Sequence, residues 1–92
     1  MKIENSFPIS ADTNTEHVIE VGTQDDEVRG PIKYIRNRYN RNGKFDPLSS
    51  SQVKVEDLCL MVEVGALDKQ FTPHQLSNMI KHLMDAFMVE LG

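Results

Sequence analysis

Residues 29–44 form a strip of cationic side chains that is suited to binding phosphate or carboxylate groups. The segment RGPIKYIRNRYNRNGK holds four arginines and two lysines and no acidic residue. Arginine offers a planar fork of donors to such groups, and a tyrosine ring can stack on an unpaired base. We call this segment the basic strip and expect it to contact a partner. The residues that we expect to bind the partner are Arg29, Lys33, Tyr34, Arg36, Arg38, Arg41 and Lys44.

The charge of the chain changes sign on both sides of the basic strip. Residues 1–28 carry a net charge of −6, the strip carries +6 and residues 45–92 carry −4, so the chain has −4 overall. A free nucleic-acid-binding protein is normally basic, because phosphate neutralisation supplies most of its affinity. We therefore expect a partner with charges of both signs, such as a protein complex that carries RNA or DNA. This hypothesis requires that nearby acids such as Asp25 and Glu27 do not already pair with the cations.

Other roles and two local structures stay open for the basic strip. The strip could be purely structural, with the acidic segments on either side neutralising it, or it could bind an acidic protein. As a helix it would begin at Pro31 and end at Gly43, with Tyr34 among arginines on the outer side. As a strand it would end at Asn42-Gly43, the strongest hairpin signal in the chain.

No group of residues has the spacing of a catalytic or metal site. Cys59 lies in an apolar run, so we expect a buried and unreactive thiol. His74 and His82 do not have the spacing of zinc ligands. Glycine-rich phosphate loops and the HExxH, CxxC and GxSxG patterns are absent from the sequence. We therefore expect a protein that is not an enzyme and that needs no cofactor or metal.

Size and composition indicate one small domain, over residues 1–92, in the cytoplasm. A chain of this length supports a single hydrophobic core. A single cysteine excludes an internal disulfide and fits a reducing compartment. The start, MKIENSFPIS, lacks the apolar core of a secretory signal, and the longest apolar run, LCLMV, is far shorter than a membrane span.

The last segment, TPHQLSNMIKHLMDAFMVELG, predicts a helix over residues 73–90. Thr72 can cap its start, Pro73 suits its first position and Gln75 completes a capping box. Apolar residues then recur at the three-and-four spacing of one helical face. These residues, which we call the apolar stripe, are Leu76, Met79, Ile80, Leu83, Met84, Phe87, Met88 and Leu91.

The segments before this helix predict a small sheet and a second helix. HVIEVG alternates as a strand does, and Asp25–Glu27 is typical of a turn. QVKVEDLCLMVEVGAL predicts an extended start at 52–55 and a helix that ends near Gly65, followed by a helical hairpin with the last helix.

The expected fold class is therefore α+β. A small antiparallel sheet from the first half packs against the long C-terminal helix and a second helix. The alternative is a mostly α fold with three helices, at residues 31–42, 55–65 and 73–90.

These observations predict a small binding protein that docks on a nucleoprotein or other macromolecular assembly and blocks or modulates it. Compact acidic domains without catalytic groups are typical of mobile-element inhibitors, including anti-CRISPR and anti-restriction proteins. No motif in this sequence identifies it as such an inhibitor. The alternative is a structural or regulatory homodimer assembled through the C-terminal helix, since methionine suits adaptable interfaces. The residues that we expect at that interface are Met79, Met84, Phe87 and Met88.

Overall fold

The computed structural model describes residues 1–92 and confirms the α+β class with a long C-terminal helix. The alternative with three helices is wrong, because residues 31–41 lie in a strand. The chain divides into two compact units, residues 1–59 and residues 60–92. The elements in chain order are β1 (Lys2–Ala11), β2 (Thr15–Asp26), β3 (Gly30–Arg41), β4 (Lys44–Phe45), β5 (Ser51–Lys54), α1 (Val55–Leu67) and α2 (Pro73–Leu91).

The first unit is built on one antiparallel sheet in which β2 lies between β1 and β3. β2 and β3 pair along their full length without a register shift, from Thr15 opposite Arg41 to Asp26 opposite Gly30. The short strands β4 and β5 both pair with β3, along its other edge. β3 is therefore the strand to which most of the sheet is attached.

The turn between β3 and β4 decides the structure of the basic strip. Asn42 and Gly43 have φ angles of 53° and 76°. A two-residue hairpin turn whose central residues both have positive φ matches the twist of the strands that it joins. The hairpin interpretation of the strip is confirmed, and the helical interpretation is wrong.

A second tight turn joins β2 to β3. The Asp26 carboxylate accepts hydrogen bonds from the backbone N–H groups of Val28 and Arg29, both at 2.9 Å. These two hydrogen bonds, of which the one from Arg29 has the larger effect, hold the pKa of Asp26 below its usual value. The turn lies at residues 27–29, two positions later than the sequence predicts.

The sequence does not predict β1, because two irregularities interrupt the strand. Its pairing with β2 shifts register between Ile3 and Asn5 and again between Pro8 and Ser10. Each shift breaks the alternation by which a strand is recognised. Gly22 faces this strand so closely that an added Cβ would collide with the carbonyl oxygen of Lys2.

Alternation along the paired strands gives the sheet two chemically different faces. The apolar face carries Phe7, Ile19, Val21, Ile35 and Val53, together with polar residues that include His17, Lys33 and Asn37. What we call the polar face carries Glu16, Val18, Glu20, Gln24, Ile32, Tyr34, Arg36, Arg38, Asn40, Phe45, Gln52 and Lys54. No hydrophobic side chain in the chain is buried, and Glu20 is the buried charged residue.

Helix α1 follows β5 directly, as the sequence predicts, but it ends two residues later than expected. The N–H groups of Lys69 and Gln70 donate to the carbonyl oxygens of Ala66 and Gly65, and Lys69 has a φ of 58°. This is the Schellman arrangement that closes a helix. Gly65 is therefore inside the helix rather than its cap, and the ring of Phe71 lies against it.

The start of α2 confirms the predicted capping box. The Thr72 hydroxyl accepts from the Gln75 N–H at 3.2 Å, and the Gln75 side chain accepts from the Thr72 N–H at 2.9 Å. The predicted helical hairpin is wrong, since within residues 60–92 no Cα atom of α1 lies within 8 Å of one in α2. Neither helix has the length and apolar content needed to span a membrane.

Two glycine substitutions test the sheet. We expect Gly22→Ala to lower the free energy of unfolding by about 2 kcal/mol or more, because a Cβ collides with backbone. Gly43→Ala should cost about 1 kcal/mol, since it only forces alanine to a positive φ. Urea denaturation followed by circular dichroism measures both values. An equal or smaller loss for Gly22→Ala would contradict the pairing of β1 with β2.

Candidate functional site

The strand structure of the basic strip divides its predicted binding residues between the two sides of the sheet. Tyr34, Arg36 and Arg38 lie together on the polar face. Lys33, Arg41 and Lys44 belong to the opposite side, and Arg29 lies in the turn before β3. The structure therefore brings together Tyr34 and two arginines rather than the whole predicted set.

Glu20 is the centre of the polar face, because it is the direct cross-strand partner of Arg36. Two nitrogens of Arg36 lie 2.9 Å from the same carboxylate oxygen, and Arg38 approaches that oxygen at 3.7 Å. The side chains of Glu20, Arg36 and Arg38 are 7%, 19% and 30% exposed. Two guanidinium groups thus share one carboxylate, which leaves this cluster with one excess positive charge.

Phe45 and Asn40 hold the two guanidinium groups in fixed positions. The central guanidinium carbons of Arg38 and Arg36 lie 5.0 and 5.8 Å from the centre of the Phe45 ring. Such cation–π contacts are favourable. Arg38 Nε also donates to the Asn40 side-chain oxygen at 2.9 Å, and Asn40 donates to Glu16 at 2.6 Å. The groups are therefore ordered before any partner arrives.

A hydrogen-bonded loop after β4 keeps Phe45 in place. The Asp46 N–H donates to the carbonyl oxygen of Tyr39 at 2.8 Å. The Asp46 carboxylate accepts from the Ser49 hydroxyl at 2.8 Å and from the Leu48 N–H at 3.2 Å. These hydrogen bonds, of which the one from the Ser49 hydroxyl has the largest effect, hold the pKa of Asp46 below its usual value.

The expectation that the cations have no acidic partner within the chain is wrong for all four arginines. Besides the two on Glu20, Arg29 pairs with Glu56 at 3.1 Å and Arg41 pairs with Asp46 at 3.5 Å. Glu20 is a cross-strand partner and Glu56 lies at the start of α1, whereas Asp46 is the first acid after the strip. Arg29 and Glu56 are 54% and 56% exposed, and an ion pair this exposed contributes little. Arg41 is 63% exposed, although the Asp46 side chain beside it is 17% exposed.

The two lysines of the strip differ from its arginines. Lys33 and Lys44 have no carboxylate oxygen within 4.0 Å. The strip therefore keeps a positive surplus, because its six cations meet three carboxylates, those of Glu20, Glu56 and Asp46.

Cys59 and His17 differ in their surroundings, and neither belongs to a group of metal ligands. Cys59 is exposed, so the expectation of a buried thiol is wrong. His17 lies on the apolar side, stacked on Tyr39 at 4.3 Å between ring centres and hydrogen-bonded to Asn37. No group of three or more His, Cys, Asp and Glu residues is placed to hold a metal ion.

The prediction from sequence missed Glu20 and Phe45 as parts of this site. Asn42-Gly43 carried the signal for Phe45, because a two-residue turn at that point sets Phe45 opposite Asn40. No local signal marked Glu20, whose role depends on the register between β2 and β3. Comparison with protein-family models, with curated proteins and with solved structures found no significant match to this chain.

The difference between buried and exposed ion pairs is directly testable. We expect Glu20→Ala to lower the free energy of unfolding by about 2 kcal/mol, because it leaves two partly buried guanidinium groups without their carboxylate. Glu56→Ala removes an exposed carboxylate and should cost about 0.5 kcal/mol. Urea denaturation of both variants measures the difference. Equal losses would show that Glu20 does not organise the polar face.

Proposed function

We propose that this chain is a small non-enzymatic binding protein of the cytoplasm. It docks on a nucleoprotein or other macromolecular assembly through the polar face and blocks or modulates that assembly. It is an inhibitor of the mobile-element type, as anti-CRISPR and anti-restriction proteins are. The single cysteine supports a reducing compartment, and the small acidic chain without a catalytic group supports the inhibitor type.

The observation that carries the proposal is that two ordered guanidinium groups on one sheet face share a single carboxylate, that of Glu20. Arg36 and Arg38 share Glu20 and lie over Phe45, so their remaining donors are ordered and partly exposed. Preorganised groups lose little conformational entropy when a partner binds, which raises affinity. Arginine with aromatic residues is also the composition that is enriched at the centre of protein interfaces.

The other cations of the strip have a supporting role in this proposal. Arg29, Lys33, Arg41 and Lys44 lie away from the polar face and are exposed. Exposed charges of this kind accelerate and orient the encounter more than they strengthen the complex. Because the whole chain is negative, the partner must also tolerate or attract acidic surface.

Two double substitutions with the same change of charge test the docking face. Arg36→Gln with Arg38→Gln should abolish capture of the partner from a bacterial lysate, while leaving amide groups that can bond Glu20. Arg29→Gln with Arg41→Gln removes the same charge outside the face and should leave capture largely intact. Affinity purification with mass spectrometry, with and without nuclease, measures both. An equal loss of partner capture in the two double variants would contradict docking through the polar face.

The exposed apolar stripe of α2 favours a second candidate, a structural or regulatory homodimer. Ile80, Leu83, Met84, Phe87 and Met88 are between 52% and 62% exposed. Exposed apolar residues that form a continuous stripe mark an interaction surface. Met79 lies on the same stripe and is half-buried.

A single charge on the stripe tests the homodimer. Met84→Glu should convert a dimer to a monomer, because it places a carboxylate without a partner in an apolar interface. Lys81→Glu, on the polar side of the same helix, is the control and should leave the dimer intact. Light scattering after size-exclusion chromatography gives the masses. A wild-type protein that is monomeric at every concentration would exclude this candidate.

A further inference from the structure

We infer that the polar face binds a single strand of nucleic acid. This inference rests on the proposed docking function and names the chemistry of the component that the face contacts. Arg36 and Arg38 would bind phosphates, while Tyr34 and the guanidinium planes would stack on bases. Single-strand binders combine the same two kinds of contact, cationic groups along the backbone and flat surfaces under the bases.

The cationic and flat groups lie side by side on adjacent strands. Tyr34 precedes Arg36 by two positions on β3, so the two side chains are neighbours on one face. Lys54 of β5 is the direct cross-strand partner of Tyr34 and adds a third cation to the face. Phe45 is 44% exposed and lies beneath both guanidinium groups. Guanidinium planes themselves stack on bases.

Amide side chains supply the hydrogen-bonding groups that such a surface needs. Gln52 is the cross-strand partner of Arg36, and its side chain donates to that of Gln24 at 3.3 Å. Both glutamines are exposed, so their remaining donors and acceptors are accessible to base edges. Cations, planar groups and amides thus share one face of the sheet, on β3, on β5 and at Gln24 of β2.

Charge argues for a single strand in preference to a duplex. A duplex hides the faces of its bases and offers mainly phosphates, whose attraction depends on net positive charge. The chain carries −4, and Glu16 and Glu20 lie on the polar face itself. Stacking contributes affinity that does not depend on net charge. An acidic protein partner would satisfy the guanidinium groups but leave the planar groups unused, and it is the alternative that the test must separate.

The test is a binding titration with the whole protein at low salt. The probe is a fluorescein-labelled oligouridine RNA of about eight nucleotides, within the size that sheet-based single-strand binders cover. We expect saturable binding by fluorescence anisotropy, weakening as salt is added. An unlabelled duplex of the same length should compete less well than the single strand.

Variants that keep the charge make the test specific. Arg38→Lys retains the cation but loses the planar group, and Tyr34→Leu loses the ring; each should weaken binding roughly fivefold or more. Arg41→Lys makes the same replacement on the other side of the sheet and should leave affinity unchanged. Thermal denaturation by circular dichroism confirms that each variant is folded. If Arg38→Lys does not fold, Tyr34→Leu alone decides the question.

Three results would overturn the inference. They are an absence of saturable binding, a duplex that competes as well as the single strand, and equal effects of Arg38→Lys and Arg41→Lys. The wild-type protein could fail to bind RNA while the Arg36→Gln, Arg38→Gln variant still fails to capture the assembly. In that case the docking function stands, and the polar face contacts a protein surface. If the Arg36→Gln, Arg38→Gln variant keeps both RNA binding and capture of the assembly, both the inference and the proposed function are wrong.

Discussion

The sharing of one buried carboxylate by two arginines is the interaction on which the polar face depends. Glu20 lies opposite Arg36 because β2 and β3 pair without a register shift. A slip of one residue would turn every side chain of β3 to the other face and separate the arginines from Glu20. The ion pair with Glu20 therefore depends on the register between β2 and β3, whereas Tyr34 and Arg38 lie beside Arg36 because alternate residues of β3 share one face.

Each of the two units has exposed apolar side chains on its surface. No hydrophobic side chain is buried, although the sheet has an apolar face and α2 has an apolar stripe. Stability that arises from hydrophobic burial is therefore small in the isolated chain, and binding of a partner or a second copy would add to it by mass action.

Local signals in the sequence predicted the elements that local chemistry controls. Thr72, Pro73 and Gln75 specify the start of α2, and the structure has the capping box that they predict. Asn42-Gly43 specifies the turn after β3, but a helix remained possible because the strip also has a helical spacing of apolar residues. β1 was not predicted, since its two register shifts break the alternation. The pairing of arginines with acids depends on cross-strand register and on the start of α1, which sequence spacing does not show.

The exchange of arginine side-chain N–H protons with solvent tests the Glu20 arrangement most directly. Nitrogen-15 NMR at neutral pH resolves the Nε–H group of each arginine. We expect the Nε–H of Arg36, bonded to a buried carboxylate, to exchange more slowly than that of Arg41, whose side chain is 63% exposed. Equally fast exchange at both positions would contradict it, because Glu20 would then not hold Arg36, and the polar face would have no fixed centre.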